Sequence, residues 1–268
     1  MGTVFFELAL TFYFAGFLLS LAGIIRKKDD LDRAVFLLSM GGFTLHTVYF
    51  AIRYIKSGQA PVFSMHEAIS FFAWSILLIS LCIRFSYKAR VLNFGVILIF
   101  TFMFVSAFFP RNIPFIKPEL KSLLIDIHAL MAVFGIALFS MAFVFSVLYL
   151  IQERAIKFKK FGGLDRILPS LEVLDKINYR LIFWGFPIYT FAIVLGMIKY
   201  INLLGFHFDP KEIWSFLIWI VYLTIFYFRV KEDWRKKKAA YLTIIGFLLV
   251  IFGFFGINLL TESFHKRL

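Results

Sequence analysis

Eight predominantly apolar segments divide this sequence, and short polar connections separate them. Each segment is close to the ~20 residues that a helix needs to cross the hydrocarbon core of a bilayer. Hydrophobic residues make up 61% of the 268 residues, whereas a soluble domain is roughly 45–50% apolar. The sequence therefore predicts an all-α fold: a polytopic membrane helix bundle of about eight transmembrane helices, forming a single integral-membrane domain over residues 1–268. The predicted spans are residues 3–25, 34–52, 68–87, 91–109, 129–151, 181–202, 213–229 and 239–260.

The basic residues are distributed unequally between the two sets of alternating connections. Twenty of the 29 Lys and Arg residues lie in the connections that follow the first, third, fifth and seventh segments. Because the more basic connections stay in the cytoplasm, this set is predicted to be cytoplasmic, with both termini on the outside. The net charge of +13 is thereby interpreted as an orientation signal for a protein in a lipid bilayer, and no nucleic-acid partner is expected. The first segment has no basic region before it and is predicted to be retained rather than cleaved.

The longest cytoplasmic connection, residues 152–180, has room for structure of its own. Apolar residues recur at Leu168, Leu171, Leu174 and Ile177, with charged residues between them. This spacing predicts a short amphipathic helix on the inner membrane surface that leads into the sixth span. We interpret it as a connector. The one cysteine, Cys82, lies inside an apolar segment, so no internal disulfide is possible.

On the outer side, an unusual polar stretch lies between two long apolar segments. This outer motif segment, residues 203–214, places His207, Asp209, Lys211 and Glu212 beside three aromatic residues, which are Phe206, Phe208 and Trp214. Such a combination at a membrane edge indicates a site for something large, flat and partly apolar.

Histidines are the best candidates for chemistry, and four of the five are predicted at the outer face. His128 is expected to begin the fifth span and His265 to follow the eighth, so both could bind a metal over the same outer opening. An interfacial polar role is the alternative for each. His46 lies inside a span, where it is either functional or hydrogen-bonded to a neighbouring helix. The stretch HEAIS around His66 lacks the second histidine of a zinc-protease motif, which excludes that reading.

Five segments, in order along the chain, resemble one family: the CcsA/ResC cytochrome c assembly proteins and the related HemX proteins. They are LHTVYFAIRYIKSGQAPVFSMHEAISFFAW, DIHALMAVFGIALFSMAFVFSVLYLI, LPSLEVLDKINYRLIFWGFPIYTFAIVLG, FDPKEIWSFLIWIVYL and GFLLVIFGFFGINLLTESFH.

The resemblance implies a haem-handling protein of the bacterial cytoplasmic (inner) membrane. It assigns the axial ligands of the haem iron to His128 and His265. It also places the edge of a haem b against a group of outer residues, which are Phe206, Phe208, Asp209 and Trp214. Lys211 or Arg111 could meet the haem propionates. His46 stays open between a second haem site and a hydrogen bond.

The family motif has three tryptophans where this chain has Asn202, Phe206 and Phe208, and a further histidine where it has Tyr227. By resemblance, the expected function is delivery of haem at the outer face for attachment to apocytochrome c, together with a CcsB/ResB-type membrane partner. No catalytic acid or base is assigned, and an enzymatic role would be as a component of a haem ligation system. The alternative is a HemX-like regulator of glutamyl-tRNA reductase levels, and a generic transporter is a third class.

Overall fold

The fold is described from a computed structural model of the chain. It describes residues 2–26, 31–87, 92–113, 121–159, 168–204, 210–231 and 237–265. Within these ranges, residues 199–204, 210, 211 and 254–265 are described as helix only, without their side chains.

The predicted all-α fold is confirmed: the described residues form eight helices and contain no strand. The helices are α1 Gly2–Arg26, α2 Asp32–Ser57, α3 Met65–Tyr87, α4 Leu92–Ala107, α5 Leu123–Lys157, α6 Leu171–Leu204, α7 Pro210–Lys231 and α8 Lys237–His265. Among the described residues, six helices are long and apolar enough to cross a membrane: α1, α2, α3, α5, α6 and α7. Helix α4 is apolar but shorter, at 16 residues.

Two helices begin at least six residues earlier than the apolar pattern predicted. Helix α5 starts at Leu123, capped by the Ser122 hydroxyl, which accepts from the Ile125 N–H. His128 therefore lies in the second turn of α5 instead of at its start. Helix α6 starts at Leu171, so the connector helix and the sixth span form one continuous helix. Three of the four apolar residues predicted for the connector lie in its first turns, and Leu174 and Ile177 are fully buried.

The helices pack as consecutive antiparallel hairpins. Helices α1 to α4 contact one another, helices α5 to α8 form a second group, and α3 packs against α5 to join the two. Near one end of the second group, Arg229 of α7 donates to the Asp175 carboxylate of α6 over 2.8 Å. Near the other end, His128 of α5 contacts Ala192 of α6. We name these two ends of the molecule the Arg229 end and the His128 end.

The connection between α2 and α3 lies at the His128 end and is held by several polar contacts. Gly58 ends α2 in the left-handed region at φ 66°, and its N–H donates to the Tyr54 carbonyl. Ser64 and Glu67 then form a reciprocal capping box at the start of α3, each side chain accepting from the other residue's N–H. The Asp126 carboxylate of α5 lies close to the backbone of Ala60 in this connection. The two helix groups thus meet within two residues of His128.

Candidate functional site

His128 is held by the backbone of α6. Its Nδ1 lies 2.6 Å from the carbonyl oxygen of Ala192, and the ring is partly buried. Because a carbonyl only accepts, Nδ1 carries the proton and donates. The neutral ring then has its lone pair on Nε2, which has no hydrogen-bond partner among the described residues.

Gly196 makes room for this arrangement. A Cβ added at position 196 would lie 2.6 Å from Cε1 of His128 and 2.8 Å from its Nδ1. At two further places along these helices, a large side chain of one helix packs against a glycine of the other. Tyr189 of α6 lies against Gly135 of α5, and Phe139 of α5 lies against Gly185 of α6. These glycines bring α5 and α6 close enough for a side chain of one helix to reach a carbonyl of the other.

His46 is fully buried, and both of its ring nitrogens have partners. Ser70 donates its hydroxyl to the Met103 sulfur, so it accepts from His46 Nε2 over 2.8 Å. His46 Nδ1 consequently accepts from the Tyr13 hydroxyl over 3.3 Å. The two hydrogen bonds across α1, α2 and α3 use the full capacity of a neutral imidazole.

His66 is likewise buried and saturated. Its Nδ1 donates to the Ser106 carbonyl over 2.8 Å, and its Nε2 accepts from the Tyr49 hydroxyl over 3.0 Å. The adjacent Glu67 forms a buried ion pair with Arg53 of α2. These contacts account for the polar character of the α2–α3 connection without a metal.

Three histidine side chains lie within the described residues, and His128 alone among them has a ring nitrogen without a partner. The same residues contain no group of three or more His, Cys, Asp or Glu side chains that could hold a metal ion by themselves.

Trp214 lies at the contact between α7 and α8. Its indole N–H donates to the Leu249 carbonyl over 3.0 Å, and its ring packs on Gly253 and lies 5.2 Å from the Phe252 ring. Helix α8 ends at His265, whose side chain is outside the description. The remaining expected site residues, which are Phe206, Phe208 and Asp209, lie outside the described residues.

The sequence reasoning missed Ala192 and Gly196 as the residues of α6 that contact His128. A glycine inside an apolar helix is a signal of close helix approach. The partner that approaches is set by how α5 and α6 align, which the spacing of apolar residues does not specify.

Residues 62–265 match the family model described as "Cytochrome C assembly protein". The chain is 32% identical over 271 residues to Protein HemX of Bacillus subtilis (strain 168), which covers 98% of this chain and 94% of that protein. It is 29% identical to Protein HemX of Brevibacillus brevis over 97% of this chain and 96% of the relative. It is 26% identical to Cytochrome c biogenesis protein CcsA of Guillardia theta, covering 91% and 89% of the two chains. With three quarters of its length inside the matched region, this membrane protein belongs to the cytochrome c assembly protein family.

Proposed function

We propose that this protein binds haem at its His128 end and delivers it for cytochrome c assembly. The observation that carries the proposal is the state of His128. Its Nδ1–H donates to the Ala192 carbonyl, and its Nε2 lone pair has no partner among the residues that the structure describes. Metal-binding histidines characteristically donate their second ring nitrogen in this way, which fixes the tautomer and the ring orientation.

The residues present fit a haem. An iron in a porphyrin needs one or two axial ligands from the protein, and a neutral imidazole with its Nε2 free is such a ligand. His128 and His265, at the end of α8, would be the residues that hold the iron. When bound, the haem supplies the iron and the vinyl groups that become thioethers in a cytochrome c.

The chain's own residues would position the haem. The segment between α6 and α7 would contribute Phe206, Phe208 and Asp209 as an aromatic and polar rim. Aromatic rings offer faces on which a porphyrin stacks. The buried contacts around Asp126 and Ala60 would keep the start of α5 fixed beside this rim.

We infer that the His128 end faces the outside of a bacterial cytoplasmic membrane. The inference rests on the 20 basic residues in the connections at the opposite end. A haem b at the outer face would be available to an apocytochrome c, and a CcsB/ResB-type membrane protein would be the partner in attachment.

Visible spectra of the purified protein test the proposal. We expect a low-spin haem spectrum, and we expect His128→Ala to lose it or convert it to a high-spin form that added imidazole restores. His46→Ala is the matched control, because that imidazole has no free nitrogen, and its haem spectrum should be unchanged. A His128→Ala protein with the wild-type spectrum would overturn the ligand assignment.

A second candidate function is a HemX-like control of haem-synthesis enzyme levels. Two relatives named HemX are 32% and 29% identical to this chain, and each is covered almost end to end. In a strain lacking this gene, this candidate predicts altered glutamyl-tRNA reductase levels with normal c-type cytochromes. The haem-delivery candidate predicts normal glutamyl-tRNA reductase levels with reduced c-type cytochromes. Complementation with His128→Ala then shows whether the defect in that strain depends on the proposed ligand.

A further inference from the structure

We propose that Trp214 is a positioning residue that fixes the end of α8, and with it His265, relative to the haem. This inference rests on the proposed function, because His265 is its second axial ligand. It differs from the sequence expectation that Trp214 lines the haem edge as part of the platform.

The polar edge of Trp214 is already used by α8. Its Nε1–H donates to the Leu249 carbonyl over 3.0 Å, so the indole is tied to the helix backbone. Gly253 lies directly under the ring, and a Cβ there would overlap the indole. A tryptophan held by a hydrogen bond on one edge and a helix surface on one face has a fixed orientation.

The contact has the same form as the contact at His128. In both, a ring N–H near the start of one helix donates to a carbonyl of the next helix. The residue four positions after that carbonyl is a glycine in both: Ala192 is followed by Gly196, and Leu249 by Gly253. Since the N–H of residue i+4 bonds the carbonyl of residue i in an α-helix, a side chain at i+4 would cover that carbonyl. Glycine leaves it open to a second donor.

The hairpins α5–α6 and α7–α8 therefore share the same type of interhelical contact at the same end of the molecule. In the first hairpin the donating ring, His128, is itself the proposed ligand. In the second hairpin the helix that accepts the hydrogen bond carries the proposed ligand, because α8 continues from Gly253 to His265. A helix turns by about 100° and rises about 1.5 Å for each residue. The rotation of α8 at Gly253 consequently sets where position 265 lies around the axis of α8.

The chain provides matched controls on the same helices. Trp219, five residues after Trp214, donates its indole N–H to the Thr190 hydroxyl of α6 over 2.9 Å, so its loss should leave α8 in place. Gly246 lies seven residues before Gly253 on α8. A Cβ there meets only side-chain ends of α7 at 3.2–3.5 Å.

The experiment compares Trp214→Phe and Gly253→Ala with Trp219→Phe and Gly246→Ala, all purified and loaded with haem. We expect the first two to retain haem on His128 but to show a high-spin fraction. Added imidazole should return Trp214→Phe and Gly253→Ala to the low-spin spectrum. The imidazole concentration that does so should be at least tenfold lower than the lowest concentration that changes the spectrum of either control. His265→Ala should give the same imidazole-sensitive spectrum.

The outcomes separate this inference from the proposed function. If His265→Ala alters the spectrum while Trp214→Phe and Gly253→Ala do not, the positioning role is wrong and the haem site stands. If His128→Ala and His265→Ala both leave the spectrum unchanged, the proposed function itself fails. Should Gly253→Ala not fold, Trp214→Phe decides, because it removes the N–H and keeps an aromatic ring on Gly253.

Discussion

The imidazole of His128 occupies the space that a side chain at position 196 would need. A Cβ at Gly196 would approach Cε1 of the ring to 2.6 Å, and the ring nitrogen on that side donates to the Ala192 carbonyl one helical turn away. The orientation of the ring is therefore a property of the α5–α6 packing. Substitutions on α6, without any change to the histidine, should alter what its Nε2 can bind.

Gly196→Ala should disrupt ligand binding by His128. The added methyl group has to displace the ring or separate the helices, and either movement lengthens the hydrogen bond to Ala192. We expect haem affinity to fall at least tenfold, about 1.4 kcal/mol, measured by haem titration in detergent. Gly16→Ala is the control, because a Cβ there meets only the Val96 side chain at 3.3 Å and the Leu38 Cβ at 3.9 Å. Equal haem affinities for the two variants would contradict the proposed packing of the His128 ring against Gly196.

The sequence predicted the eight helices because each one contains a long apolar segment. It misplaced the starts of α5 and α6 because Asp126 follows the three apolar residues that open α5, and Glu172 lies in the first turn of α6. Hydropathy does not distinguish a helical turn that carries a charged residue from a loop. His128 was found through its resemblance to a family ligand. The packing of its ring against Gly196 depends on how α5 and α6 align, and this alignment is known only from the three-dimensional structure.

His46→Ala should destabilise the protein without changing its haem spectrum. The substitution removes the acceptor of the buried Tyr13 hydroxyl and the donor to Ser70. A buried polar group left without a partner costs about 1–3 kcal/mol. We therefore expect a clear drop in the midpoint of thermal unfolding in detergent. Loss of a second haem component with an unchanged midpoint would instead support a haem site at His46.

The Arg53–Glu67 ion pair should show strong coupling in a double-mutant cycle. Both side chains are buried, and Glu67 also accepts from the N–H groups of Phe63 and Ser64. Arg53→Met leaves a buried carboxylate without its cation, which costs about 3–5 kcal/mol. Glu67→Gln keeps an oxygen for the capping contacts and removes the charge. The double variant should consequently be more stable than Arg53→Met alone, as measured by thermal unfolding. Additive losses would show that the charges do not interact.

The orientation of the molecule can be tested with single cysteines at its two ends. Cys82 is exposed and is first replaced in Cys82→Ser, which should not react and serves as the control. Lys121, just before α5, and Lys157, at the end of α5, are exposed at opposite ends of that helix.

In intact cells, a membrane-impermeant maleimide should label Lys121→Cys, and Lys157→Cys only after permeabilisation. This result is expected because the connections with most of the Lys and Arg residues lie on the Lys157 side. The opposite labelling would place His128 at the cytoplasmic face. Haem bound there could not reach an apocytochrome c outside the membrane, so the delivery function would fail and the HemX-like candidate would be favoured.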